Sequence, residues 1–278
     1  MAVIPKVVSI EKLHQLMGHI APEAAKALVE KGLVEGFKLD DSSKMPSTCD
    51  SCEYGKAHRK PIKREREAPR AGKIGDEVHS DVWGPSPIQT IGGREYYSTY
   101  TDDHSRYLNL YLQRLKSETF AAYKRYEAYL LHQKWVHIKK LHTDRGGEYL
   151  SKEFSNHLAE NGTIRNLTVH DTPEHNGVAE RVNRTLLERV QAMLHASRLL
   201  KFLWGEAINH AVYLKNRTAT KALDGKTPYE VFHGAKPVLK GLPEFGARVW
   251  IHNPDGSKLD GRSVVGRWVG FDEDSSGH

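Results

Sequence analysis

Cysteine is nearly missing from this sequence: its 278 residues hold only Cys49 and Cys52. Two cysteines three positions apart exclude a disulfide scaffold, and so low a count suits a reducing compartment. No apolar run reaches about 18 residues, which leaves no candidate for a membrane-spanning helix. The opening stretch Met1-Ala2-Val3-Ile4-Pro5-Lys6 has no long apolar segment and does not read as a secretory signal. No internal repeat is visible at periods of about 20–50 residues. Acidic residues are the minority, 35 against 41 Lys and Arg, for a net charge of +6 and a pI near 9.1. Hydrophobic residues make up 38% of the chain, enough for a core. At about 150 residues per domain, the length suits roughly two domains. The expectation is a moderately basic, multi-part intracellular protein that spans no membrane.

The charge is concentrated. Between residues 56 and 73 stand Lys56, Arg59, Lys60, Lys63, Arg64, Arg66, Arg70 and Lys73 against Glu65 and Glu67, a surplus equal to that of the whole chain. Pro61, Pro69 and Gly72 interrupt the stretch, and no apolar period runs through it. It reads as an extended linker. Such a segment is either a strap that tracks nucleic-acid phosphates, with Lys60, Lys63 and Arg64 as contacts, or a solvated connector.

Before the linker the pattern is mostly helical, with a helix expected over 23–31 between Pro22 and Gly32. After it, strands are expected at 77–82, 96–101 and 107–112, the last two joined as a hairpin. A helix over 117–133, a strand over 136–143, a helix over 152–160 and a strand over 164–169 follow. Helices over 178–197 and 203–216 close this part. Three strands followed by alternating helix and strand predict an α/β fold. Short β-like runs at 248–252 and 264–271, with a turn at 253–256, suggest the start of a small β-barrel. Two or three strands are too few to stand alone, so the chain reads as a fragment.

Two constellations carry chemistry. His14, His19, Cys49 and Cys52 offer four ligands: two thiolates on one tight turn and two histidines about a helical turn apart. A closed His2Cys2 set suits one structural Zn²⁺ and explains how a short, core-poor segment folds. The plainer reading leaves these four as ordinary surface residues. The second constellation is Asp81, expected at the end of the first core strand, Asp144, at the end of the fourth, and Glu180, in the first turns of the long helix. Val178, Val182, Leu186, Val190 and Met193 form that helix's apolar stripe. Glu180 shares a different face with Asn183, Arg184 and Gln191 and is expected to look into a cleft. Three such carboxylates suit Mg²⁺ or Mn²⁺, and two ions can serve phosphodiester chemistry. Taken singly, the aspartates are turn formers and Glu180 a charge favoured by the helix dipole.

Three blocks carry a resemblance: His79-Ser80-Asp81-Val82-Trp83-Gly84-Pro85, Thr143-Asp144-Arg145-Gly146-Gly147-Glu148-Tyr149, and residues 173–186 (PEHNGVAERVNRTL). Together they resemble the integrase of Ty1/copia-type LTR retrotransposons. The 35 residues between Asp144 and Glu180 match the spacing in the acidic triad of retroviral-type integrases. Residues 13–57 are similar to the pre-integrase zinc region of copia-like polyproteins. The stretch from Phe245 resembles the segment just after the copia core.

The resemblance implies a ribonuclease-H-like core with five mixed strands flanked by helices. It divides the chain into a zinc-binding pre-integrase domain (1–58), a basic linker (59–75), a catalytic core (76–222) and a partial C-terminal β module (223–278). It implies that Asp81, Asp144 and Glu180 bind the catalytic metals, and that water or a 3′-hydroxyl attacks a DNA phosphodiester to trim and join element cDNA ends to target DNA. Arg184 is the foremost expected DNA contact, with Arg181, Asn183, His175 and Asn176 beside it. The implied partners are cDNA ends, target DNA, further copies of the chain and an adjacent reverse transcriptase in a polyprotein. The implied place of action is the nucleus, after synthesis in the cytoplasm. The competing readings are a related metal nuclease and a catalytically silent, domesticated DNA-binding relic.

Overall fold

The computed structural model describes residues 4–40, 42, 49–56, 69–167, 177–253 and 262–271. Lys60, Lys63, Arg64, His175 and Asn176 lie outside the described residues. In chain order the elements begin with β1 (Lys6–Val8), α1 (Ile10–Leu16), α2 (Pro22–Glu30), β2 (Phe37–Leu39) and α3 (Asp50–Lys56). Then come β3 (Val78–Trp83), β4 (Tyr96–Asp102), β5 (Leu108–Gln113), α4 (Thr119–Lys134), β6 (Lys140–Thr143), α5 (Lys152–Glu160) and β7 (Ile164–Leu167). The last are α6 (Gly177–Ser197), α7 (Trp204–Asn216), α8 (Pro228–His233), β8 (Arg248–His252) and β9 (Ser263–Arg267). No described helix is long and apolar enough to cross a membrane.

The chain divides into two compact units. One comprises His58–Leu187 and Lys215–Pro237. Its sheet has the order β5-β4-β3-β6-β7. β3, β4 and β5 form an antiparallel meander, and β6 and β7 run parallel to β3. This is the five-stranded mixed sheet of a ribonuclease-H-like α/β fold. Its core is aromatic: Tyr100, Tyr123, Tyr126, Tyr149 and Phe154 are buried with Leu130, Ile138 and Leu141. Tyr100 stacks on Tyr126 with ring centroids 4.8 Å apart. Buried phenols need partners, and Tyr149 finds one in the Ser80 hydroxyl of β3, 2.7 Å away.

Local chemistry sets the ends of these elements. Ser151 caps α5 by accepting the Phe154 N–H, and Thr227 caps α8 by accepting the Glu230 N–H, with Pro228 at the first helical position. β5 lies at the sheet edge, where its outward backbone groups lack a strand partner. There Asn216 receives the Leu108 N–H at 2.9 Å and donates to the Leu108 carbonyl at 2.8 Å. The strand expected over 136–143 is shorter, only Lys140–Thr143. Val136 donates back to the Leu130 carbonyl and Lys139 to that of Gly75, so this segment is drawn away from the ladder.

The other unit comprises Met1–Ala57, Glu188–Leu214 and Val238–His278. α1 is capped by Ser9. Pro22 opens α2, and β1 pairs with β2 in parallel, a pair the helical pattern of this region did not announce. Within this unit α3 lies directly on the second half of α6. A Cβ on Gly55 would stand 2.9 Å from the Glu188 carbonyl oxygen and 3.1 Å from the Ala192 nitrogen, so only glycine permits this approach. β8 and β9 form an antiparallel hairpin. The Gly246 N–H donates to the Trp268 carbonyl and the Trp268 N–H to that of Ala247, tying the base of the hairpin.

Candidate functional site

Asp81 sits inside β3, two residues before its end, rather than at the terminus expected from sequence. Asp144 follows β6 directly, and Glu180 is exposed in the first turn of α6. The structure brings the three carboxylates together. Burial pushes the Asp81 carboxyl up to about 6, and the charges of Asp144 and then Glu180 push the same way. Two donors oppose them: the Asn183 amide, 2.7 Å from Asp81 Oδ2, and the Val82 N–H, 3.0 Å from Oδ1. Asp144 Oδ1 accepts the Gly146 N–H at 2.9 Å, which fixes the carboxylate at the start of its loop. A half-buried carboxylate crowded by two others has an unmet need for positive charge, and an all-oxygen donor set fits Mg²⁺ or Mn²⁺.

Strand parity explains the gathering. His79, Asp81 and Trp83 share one face of β3. His142 is the direct partner of His79 across β3 and β6, which puts Asp144, two residues on, beside that face. Trp83 pairs with Tyr97 on β4, and their rings stack at 5.2 Å. Burial raises the Tyr97 phenol above its ordinary range, with the Asp81 charge adding to it, so Tyr97 belongs to this site. Sequence reasoning missed it, although cross-strand pairing on the Asp81 face was the available signal.

The contacts expected around Glu180 divide. Arg181 and Arg184 are exposed on α6. Asn183, expected to face DNA, is 6% exposed and donates to Asp81. Its amide is thus engaged with the carboxylate inside the site. The physical reason is that α6 turns the Asn183 position toward β3, where Asp81 needs a donor.

In the other unit His14, His19, Cys49 and Cys52 converge. His14 Nε2 is 3.2 Å from His19 Nδ1 and 3.3 Å from Cys52 Sγ. His19 Nδ1 is 3.4 Å from Cys49 Sγ and 3.7 Å from Cys52 Sγ. Tetrahedral zinc, with bonds of about 2.0–2.1 Å to nitrogen and about 2.3 Å to sulfur, requires ligand separations of about 3.3–3.8 Å. The cysteines form no disulfide. His14 Nδ1 meets the Ile20 carbonyl at 2.5 Å, a bond that leaves Nε2 free to act as a ligand. Burial depresses His19 to about 4, with His14 and Lys56 adding to it, so its ring is neutral. Burial also raises the Cys52 thiol to about 11, against the pull of Lys56. A thiol in such a place ionises when a cation is present to share its charge. Gly18 and His19 both have positive φ, 65° and 59°, and this tight turn brings His19 back over α1. The group fits zinc in its donors and its spacing.

No family model matches the chain. Curated relatives do. The chain is 35% identical over 273 residues to the retrovirus-related Pol polyprotein from transposon TNT 1-94 of Nicotiana tabacum, a match covering 98% of this chain and 20% of that protein. It is 29% identical over 235 residues to the retrovirus-related Pol polyprotein from transposon RE2 of Arabidopsis thaliana, covering 84% of this chain and 16% of that one. The chain therefore spans about a fifth of the length of these relatives. Among solved structures, a chain of the simian T-cell lymphotropic virus intasome in complex with PP2A regulatory subunit B56 gamma superposes with a TM-score of 0.50 at 16% identity, covering 91% of this chain and 86% of that one. That likeness is one of fold. Sequence kinship along nearly its whole length makes Pol polyproteins of plant Ty1/copia-type transposons homologues of the chain, and its mixed five-stranded core shares the fold of the intasome chain.

Proposed function

We propose that the chain is a DNA integrase, a polynucleotidyl transferase that trims the 3′ ends of element cDNA where needed and joins them to target DNA. The observation that carries this reading is the meeting of Asp81, Asp144 and Glu180, with the Asp81 carboxyl raised to about 6 by burial and its acidic neighbours. Bound between them, two Mg²⁺ or Mn²⁺ ions would activate the attacking oxygen and stabilise the leaving one. The protein's part is to hold the three carboxylates in place. Asn183 fixes one oxygen of Asp81 and the Gly146 N–H one of Asp144. The exposed Arg181 and Arg184, on the same stretch of helix as Glu180, are suited to grip phosphates of a DNA end. Lys60, Lys63 and Arg64 would extend that grip, and His175 and Asn176 precede the helix. Zn²⁺ at His14, His19, Cys49 and Cys52 has a structural role, since four protein ligands leave no open position. Work on two cDNA ends at once calls for several copies of the chain, acting in the nucleus.

The test is disintegration of a branched DNA by the purified chain with Mg²⁺ or Mn²⁺. Metal-dependent resolution and joining, abolished in Asp144→Asn, is the expected result. Cut strands without joined ones would make the chain a nuclease. Folded, zinc-loaded protein with no activity would return it to the DNA-binding relic.

A further inference from the structure

Two residues below the carboxylates on the same sheet face lies a second cluster of metal-binding groups. Glu77, His79 and His142 each offer one donor atom, all within 4.8 Å of one another. Glu77 Oε1 is 3.3 Å from His79 Nε2 and 3.3 Å from His142 Nε2. The rings lie 4.8 Å apart, tilted by 31°. Their closeness follows from topology: His79 and His142 are register partners on the parallel strands β3 and β6, and Glu77 immediately precedes β3 on the His79 side. The groups are secluded, with side-chain exposures of 17%, 4% and 16%.

We propose that Glu77, His79 and His142 form a transition-metal site of the zinc class, distinct from both the carboxylate triad and the His2Cys2 group. Three lines of chemistry support it. Two imidazoles with one carboxylate are a borderline-soft set that favours Zn²⁺ or Co²⁺ over the hard Mg²⁺. Separations of 3.3 Å between nitrogen and oxygen match a tetrahedral zinc edge, about 3.3 Å for bonds of about 2.0–2.1 Å. The surroundings also fit. Asp103 Oδ1, 3.2 Å from His79 Nε2, adds negative charge beside the cluster, itself steadied by Arg106 at 3.1 Å. The Asn166 amide, 3.3 Å from His142 Nε2, would yield that nitrogen to the metal. With no metal bound, a proton on His79 Nε2 serves Glu77 and Asp103. A metal ion takes its place and releases it to solvent. Two residues along a strand is about 6.6 Å, so the ion clears the triad. It would clamp β3 to β6 at the point that fixes the spacing of Asp81 and Asp144.

Metal counting tests this without reference to DNA joining. The full chain is equilibrated by dialysis with micromolar free Zn²⁺ and millimolar Mg²⁺, and bound zinc is measured by mass spectrometry. Two zinc ions per chain are expected for the wild type and for Asp144→Asn. One is expected for Glu77→Gln and for His142→Gln, both folded by circular dichroism. His142 is partly exposed, so its variant keeps the test sound if a change at the buried His79 fails to fold. In Cys49→Ser/Cys52→Ser, Co²⁺ should give a tetrahedral spectrum with no sulfur charge-transfer band. One zinc in the wild type, or two in both Glu77→Gln and His142→Gln, overturns the proposal.

Discussion

At the scale of single residues the most exposed consequence concerns Asp81. Its folded-state value of about 6 lies above the ordinary 3.8 of a free aspartate. The fold therefore holds the Asp81 proton more tightly than the unfolded chain does. That contribution is fully present below about pH 4 and is lost as pH rises through about 6. Kept free of Mg²⁺ but loaded with zinc, the chain should melt lower at neutral pH than near pH 5. Asp81→Asn should recover on the order of 2 kcal/mol at neutral pH, while saturating Mg²⁺ should narrow the gap between variant and wild type. An Asn variant that melts no higher would mean that the carboxylates do not strain the fold. Asn183 gives a second expectation. Asn183→Ala should lower strand joining about 10–100-fold, as loss of a group that orients a metal ligand does, with DNA affinity unchanged. A fall in DNA affinity instead would make Asn183 a DNA contact. The sequence showed that Glu180 and Asn183 share a helix face. It did not show that Asp81, 102 positions away, would claim the amide. Helical periodicity reads one element at a time, and this contact joins two.

At the scale of elements, legibility tracked how local the deciding forces are. α5 has the limits expected, Lys152–Glu160, and its start is held by the Ser151 cap. α6 lies within one residue of expectation because its apolar stripe is long and regular. The segment before β6 was misread for a nonlocal reason, its bonds to Leu130 and Gly75. β1, β2 and α8 are short, and three to six residues carry too little periodicity to be noticed. The end of α7 was foreseen, but not its task of closing the β5 edge through Asn216. That side chain is 3% exposed and satisfies both backbone groups of Leu108. Asn216→Ala should leave a buried donor and acceptor unpaired and cost about 2–4 kcal/mol. Urea unfolding should show the lower midpoint with an unchanged slope. A loss below 0.5 kcal/mol, on the order of an ordinary surface change, would mean that water replaces the amide at this edge.

At the scale of the molecule, the acidic triad and the His2Cys2 group belong to different units, and α6 supplies its first half to one and its second half to the other. The sequence displayed both groups through their spacing but could not display this partition, which depends on which distant segments pack together. The zinc group belongs to a unit with a core of its own, in which Leu13, Met17, Leu28, Ile208 and Leu214 are fully buried. The short segments that carry the four ligands, α1, the turn at His19 and α3, are the part a bound metal would hold together. The core unit is held chiefly by its own aromatic interior. A chelator selective for zinc over Mg²⁺ should therefore act unevenly in hydrogen exchange. Protection should collapse in α1, the turn carrying His19, and α3, while β3, β4 and the buried face of α4 keep theirs. Because Gly55 seats α3 on the second half of α6, exchange should also quicken around Glu188 and Ala192. Uniform loss of protection across both units would show that zinc supports the whole chain. No change in α1 and α3 would show that the four ligands meet without needing an ion to hold them.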